Sequence, residues 1–408
     1  MRTTSHTGNC PPVKPDLSVK SRAAAGLLAG LLAVTVAGCS TTGVVRPPSP
    51  TSEPQPASPN VPAPPQVNTR EGLTPPFLAG QELTRVGILL PFSSRPDQAL
   101  AMFQAAELAV FDQGNQDTLL IPRDSGASEQ TAEEAARLLL RSGADVILGP
   151  LLRDQVRGAH KGAQGRAPVI GFSNDKTVAG DGAYLLSIPP EEEVRRIIDF
   201  AVRRNLRSFA LLAPTSEYGR RVEAALRQEA GARGATVALV QGYANSTERD
   251  AAAAARTLAA QARAANVQAI LIAESGAALR ATGPALLAGG LDLQRVQLLG
   301  IGGWASGDAL REPTLARGWY VAPDPALRSD FENRYRAAYG QAPSRLASLA
   351  YDAVALSAQI TRDRGVQGLS RQTLERETGY SGADGLFRFR ADGTVERSLA
   401  VLEVRPTG

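Results

Sequence analysis

Short aliphatic runs alternate with amphipathic helical runs from Arg85 to Gly300, and this alternation limits the fold more than any other feature of the 408-residue chain. Arg85-Val86-Gly87-Ile88-Leu89-Leu90-Pro91 reads as a buried first strand. Ala99 to Phe111 follows as a helix with Met102, Ala106, Ala109 and Val110 on one face. Thr118 to Pro122 is a second strand. Glu129 to Ser142 is a second helix, because Ala132, Ala135, Ala136, Leu139 and Leu140 recur at helical spacing. Asp145 to Gly149, a short helix over Val156 to Gln164, and Pro168 to Phe172 continue the series. Strands separated by helices rather than by tight turns predict parallel pairing, in an α/β, doubly wound sheet.

A second series starts after the run Tyr184 to Ile188. Glu191 to Arg203, Gly219 to Gly231, Asp250 to Ala265 and Leu279 to Gly289 read as helices. Ser208 to Ala213, Thr236 to Gln241, Ala269 to Ala273 and Gln297 to Gly300 read as the strands between them. Two doubly wound modules are therefore predicted. The tail differs: helices over Phe331 to Tyr339 and Ala347 to Arg362, then Gly385 to Gly393 and Leu399 to Val404 as a hairpin turning at Asp392-Gly393.

Near the N-terminus, Lys14, Lys20 and Arg22 precede an uncharged apolar run, Ala23 to Val36, closed by Val36-Ala37-Gly38-Cys39. The run falls short of the ~20 residues of a membrane span. Small residues directly before a cysteine resemble a bacterial lipoprotein lipobox. The resemblance implies a signal peptide over 1–38, cleavage before Cys39, and a lipid on Cys39 that anchors the protein to a membrane. Ser40, in place of Asp, implies by the usual sorting rule the periplasmic side of the outer membrane, with the inner membrane as the other destination. Residues 39–81 then form a tether: Val44 to Pro76 is dense in Pro, Ser, Thr and Gln and too poor in large apolar residues to fold.

Cleavage would also change the chemistry available. The chain carries a net +4, of which Arg2, Lys14, Lys20 and Arg22 against Asp16 supply +3, leaving the mature protein at +1. Such a balance predicts no nucleic-acid partner. Cys10 leaves with the leader and Cys39 is acylated, which excludes thiol catalysis, a disulfide within one chain and cysteine metal sites. Of the two histidines, His6 leaves and His160 alone makes no zinc site of the usual kind. There is no phosphate-binding loop and no Gly-x-Ser-x-Gly elbow. Glu133-Glu134 and Glu191-Glu192-Glu193 read as solvated helix faces and dipole partners rather than as catalytic acids. No catalytic residue, cofactor or metal site is predicted.

Five blocks in order resemble a type 1 periplasmic binding protein of the leucine/isoleucine/valine-binding kind. They are Val86 to Pro91; Asp145 to Pro150 with Ala167 to Ile170; Ser216-Glu217-Tyr218-Gly219-Arg220; Tyr351-Asp352-Ala353; and Gly385, Phe389 and Asp392-Gly393. The resemblance covers residues 82–408. It implies two Rossmann-like lobes joined by three crossings, the first about 82–189 and 321–377, the second about 190–320 and 378–408. It also implies a small ligand held between the lobes at the C-terminal ends of strands.

Amino-acid binders of that kind bind the ligand carboxylate with a Ser-rich turn and a second hydroxyl-bearing turn, and the ammonium with an acid. Here the first turn reads Leu151-Leu152-Arg153-Asp154-Gln155, and the second Ser173-Asn174-Asp175. The acid's position is Gly302, within Gly300-Ile301-Gly302-Gly303-Trp304. Tyr218 keeps a cleft-lining place. Glu274, at the end of another strand, is the one candidate to replace the missing acid, and reads otherwise as a solvated rim residue. Arg153 and Asp154 read equally as a solvated pair, and Trp304 as either a stacking wall or a core plug.

Two function classes follow. A lipoprotein with this domain and a degenerate cleft resembles the penicillin-binding protein activator family, which implies contact with a peptidoglycan synthase, without the helical-repeat domain of its best-known members. The alternative is a solute-binding receptor that delivers an amino acid or another small ligand to an ABC transporter.

Overall fold

Crossover connections set the architecture. The structure, a computed structural model, describes residues 80–405 apart from 81, 115–116 and 306–308. The leader, Cys39 and the Pro-rich tether read from the sequence lie outside the described residues. Strands β1 (Thr84–Leu90), β2 (Thr118–Asp124), β3 (Val146–Leu148), β4 (Val169–Gly171) and β5 (Ala183–Leu185) form a parallel sheet in the order β2-β1-β3-β4-β5. Helices α1 (Pro96–Asp112), α2 (Glu129–Arg141) and α3 (Arg153–Ala163) connect the first four. Alternate residues of β1 serve opposite faces. Val86, Ile88 and Leu90 meet Met102 and Ala106 in one core, while Leu89 joins Ile147 and Leu139 in another. The Ser128 side chain caps α2 by accepting the Thr131 N–H, and Thr131 returns the bond, so the helix starts where its apolar stripe begins.

The second sheet is larger. Helices α4 (Pro190–Arg203), α5 (Glu217–Gly231), α6 (Glu248–Ala262) and α7 (Gly276–Ala288) alternate with β6 (Ser208–Pro214), β7 (Thr236–Tyr243), β8 (Ala269–Ile272) and β9 (Gln297–Gly300), followed by β10 (Trp319–Ala322). The order is β14-β10-β9-β8-β6-β7, parallel except for β14 (Ala400–Glu403), which runs antiparallel to β10. Helices α8 (Pro325–Tyr339) and α9 (Ala347–Arg364) return to the first core, where Phe331, Tyr335 and Val354 are fully buried. Among the described residues no helix is long and apolar enough to cross a membrane.

The tail corrects the sequence reading. Asp392-Gly393 does form a turn, with Asp392 accepting the Thr394 N–H at 2.9 Å. The strand opposite β12 (Gly385–Phe389) is β13 (Val395–Arg397), however, and not Leu399 to Val404. Strand β11 (Tyr380–Gly382), unforeseen, pairs on the other edge of β12. The Leu399 to Val404 run instead supplies β14 to β10, another strand absent from the sequence reading. Tyr380, Phe387, Phe389 and Val395 bury in the first core, so 378–397 packs with the first sheet rather than the second. The reason is alternation: Phe387, Phe389 and Val395 share one face of a two-sided ribbon, and that face needs a core. The chain thus passes between the two sheets after β5, after β10 and between β13 and β14.

A buried charged network lies where those passages meet. Arg397 Nε donates to the Ser187 carbonyl at 2.8 Å, tying the last passage to the first. The guanidinium lies over the Phe387 ring, with Nη1 3.7 Å from Asp352 Oδ2. Asp352 Oδ1 accepts the Ala383 N–H at 2.6 Å. Burial pushes the Asp352 carboxyl up to about 7, with Arg397 pulling against it. An acid raised in the folded state stabilises most below its unfolded value of about 4, and that contribution is lost as pH rises through the folded value. Unfolding free energy measured by denaturant titration should therefore decline from about pH 4 to about pH 7. Asp352→Asn should flatten that slope; an unchanged slope in the variant would assign it to another group.

Candidate functional site

Loops from the C-terminal ends of β3, β4 and β6 line a cavity of about 640 Å³, together with the first turn of α4 and the segment before α9. A neighbouring cavity of about 650 Å³ lies at the ends of β6 and β8. Tyr218 and Arg345 line both.

Gly302, at the end of β9, stands where the sequence reading expected an acid. The space is not empty. Glu193, from the first turn of α4 and only 4% exposed, accepts the Gly302 N–H at 2.9 Å and an Arg345 Nη2 donor at 3.0 Å. A Cβ on residue 302 would lie 2.2 Å from Glu193 Oε1 and 1.8 Å from Arg345 Nη2, so only glycine admits this arrangement. Burial pushes the Glu193 carboxyl up, against the pull of Arg345 and the Gly302 amide. This corrects the reading of Glu191-Glu192-Glu193 as a solvated face. The signal was present: residues 193, 197 and 201 fall on one helical stripe, and Ile197 and Ala201 are buried with Glu193.

A second tie links the two sheets' regions. Arg221, on α5, makes a two-pronged contact with Glu191, Nε to Oε1 and Nη2 to Oε2, both at 2.8 Å. It also donates to the Asn174 carbonyl at 2.7 Å and to Asn174 Oδ1 at 3.3 Å. The Asn174 oxygens are thus already bonded to protein. Ser173 Oγ accepts the Asp175 N–H at 3.2 Å, which shapes the turn. Burial raises Asp175, but Thr177 hydrogen bonds and the charges of Arg221 and Arg153 outweigh it and hold the carboxyl below its usual value. Arg153 and Asp154 pair at 3.1 Å on the rim, 45% and 53% exposed, a geometry worth little energetically.

Trp304 is outside the cleft. It is fully buried in the second core, and its indole N–H donates to the Ile272 carbonyl at 3.0 Å. Gly300 makes room for it, since a Cβ there would lie 2.2 Å from the ring. Tyr218 feels the charges of both Glu193 and Glu274; burial foremost, then the charge of Glu193, pushes its phenol up. Glu274 is 8% exposed and lines the second cavity. The structure therefore brings Arg153, Asp154, Ser173, Asn174 and Tyr218 to the first cavity, Glu274 and Tyr218 to the second, and Trp304 to neither. Glu193, Arg221 and Arg345 were missed by sequence reasoning. Arg345 precedes a helix in a segment without periodicity, and nothing local marks its partner.

Comparison with known proteins places this geometry. The family model described as periplasmic binding protein matches residues 84–408. A comparison with curated proteins returned no match. Among solved structures, a putative branched-chain amino acid ABC transporter protein from Rhodospirillum rubrum superposes with a TM-score of 0.71 at 18% identity, over 79% of this chain and 98% of that one. A branched-chain amino acid ABC transporter periplasmic ligand-binding protein from Burkholderia xenovorans gives 0.66 at 17%, over 79% and 90%. A solute-binding protein from Rhodopseudomonas palustris, in complex with 3,4-dihydroxybenzoic acid, gives 0.61 at 16%, over 79% and 93%. At such identities the likeness is one of fold.

Proposed function

We propose, from the premise that this chain belongs to the periplasmic binding protein family, that it is a lipid-anchored regulator of cell-wall synthesis in which the place of the ammonium-binding acid is taken by an internal ion pair, so that no α-amino acid is held there. The Arg345–Glu193 pair seated on Gly302 carries this reading. A receptor for amino acids needs a free acid to meet the ammonium. Here a guanidinium already holds that acid, and an incoming ammonium must displace it and leave Arg345 without its partner. A lipid on Cys39 and a tether of about 33 residues, up to ~100 Å when extended, suit a domain that stands off the outer membrane to touch a peptidoglycan synthase. This arrangement resembles the penicillin-binding protein activator family, without the helical-repeat domain of its best-known members. One observation favours the second reading, a solute receptor of an ABC transporter: Glu274 is a further acid facing a cavity.

Two measurements separate these readings. A receptor saturated at about 100 times its dissociation constant gains roughly 2.7 kcal/mol, a plain rise in melting temperature. Leucine, isoleucine and valine are expected to give no rise with the mature protein. The mature protein is also expected to speed glycan polymerisation by a synthase of its own host. A branched-chain amino-acid shift together with no effect on any synthase would overturn the regulatory reading in favour of transport.

A further inference from the structure

Glu274 is used by neither the Arg345–Glu193 pair nor the cores. It ends β8, is 8% exposed, and lines a cavity of about 650 Å³. Its Oε2 accepts a long hydrogen bond, 3.4 Å, from the Ser275 N–H. Among the described residues no lysine or arginine pairs with it, whereas Glu193, buried to a similar degree, has Arg345. A carboxylate withdrawn from water without a cation is costly, so the place is one a guest charge would stabilise. The Tyr243 hydroxyl beside it is buried and within hydrogen-bonding reach of its carboxylate. Burial first, then the charge of Glu274, pushes that phenol up, so it stays a neutral donor at physiological pH.

We propose that this cavity binds a small organic cation, a primary amine on a hydroxylated body, with Glu274 as its counter-charge. The remaining walls select that class. Glu248 adds a second negative charge at the mouth, which disfavours anions. Ser246 and Ser275 line it with hydroxyl-bearing side chains rather than apolar surface, so a greasy body gains little there while a hydroxylated one finds partners. Ala277 and Gly303 keep the cavity open by being small. Arg345 lines the same space, but Glu193 already matches its charge. The acid is not the one expected after β9, which is Gly302 here; it comes from the neighbouring strand. The site does not rest on the regulatory reading: for a regulator the amine is an effector, for a receptor it is cargo.

Calorimetric titration of the lipidated mature protein in detergent tests this, with glucosamine, glucose and n-butylamine as probes. Glucosamine is expected to bind, n-butylamine more weakly, and glucose not at all. Glu274→Gln, nearly isosteric, should weaken glucosamine by at least about tenfold, the loss of one charge-assisted hydrogen bond. Ala277→Trp, which fills the cavity without removing a charge, should abolish binding. Equal affinity for glucosamine in Glu274→Gln and wild type overturns the proposal, as does glucose binding as well as glucosamine, or no heat from glucosamine at millimolar concentration. Tighter binding of n-butylamine than of glucosamine would overturn the hydroxylated body.

Discussion

Arg397→Ala is expected to cost about 3–5 kcal/mol of unfolding free energy at about pH 8, and distinctly less at about pH 5. Three contacts go together. The Nε bond to the Ser187 carbonyl disappears, and with it the direct link between the first and last passages of the chain. The guanidinium no longer covers Phe387. Above all, Asp352, 1% exposed, loses its nearest positive charge while still accepting only the Ala383 N–H. At the higher pH its carboxyl must either stay ionised and buried without a cation or hold a proton far above its ordinary range, and both are costly. At the lower pH it holds a proton, because burial has raised it to about 7, and little charge is left to strand. The pH dependence of the loss is the test, read from guanidinium denaturation at both pH values. A cost below about 1 kcal/mol at the higher pH would mean that the network is peripheral to stability. Replacing Arg397 with Met and Asp352 with Leu together should recover much of the loss, since apolar pairs of similar volume often match a buried ion pair.

Cys39→Ala is expected to abolish acylation outright. Cys10 and Cys39 are the only cysteines, and a cut before residue 39 removes the first. The precursor should accumulate unprocessed or as a form released from the membrane. Metabolic labelling with a fatty-acid analogue, followed by membrane fractionation, checks this. Labelled, membrane-bound protein in the variant would overturn the lipoprotein reading and with it the outer-membrane placement. Deleting Val44 to Pro76 asks the complementary question of reach. A stand-off regulator should lose function while keeping its lipid, because reach scales with extended length.

How much of this was legible beforehand differs from element to element. The parallel sheets were legible because each strand is a short aliphatic run and each helix repeats its apolar residues at three and four. Both are local periodicities that survive without any tertiary information. Strand β10 escaped because Trp319-Tyr320-Val321-Ala322 follows a glycine-punctuated segment, Gly302 to Gly318, whose lack of helical periodicity interrupts the strand–helix alternation that marked the others. The hairpin partner was misplaced because the true partner, Val395–Arg397, carries a single apolar residue, while the more apolar Ala400–Glu403 follows the same turn a few residues later. Spacing alone does not say which closes the ribbon and which leaves for another sheet.

The cleft shows the same division more sharply. The sequence determined that Gly302 carries no acid, that Arg153 and Asp154 replace a Ser-rich turn, and that Glu274 ends a strand. Those are statements about which atoms are available. Only the tertiary structure decided that Glu193 fills the space above Gly302, that Arg345 neutralises it, that Trp304 is core, and that Glu274 has no cation partner among the described residues. The physical reason is that a charge is defined energetically by its partner and its solvent. Arg345 and Glu193 are 152 residues apart, and no local pattern carries a contact of that span.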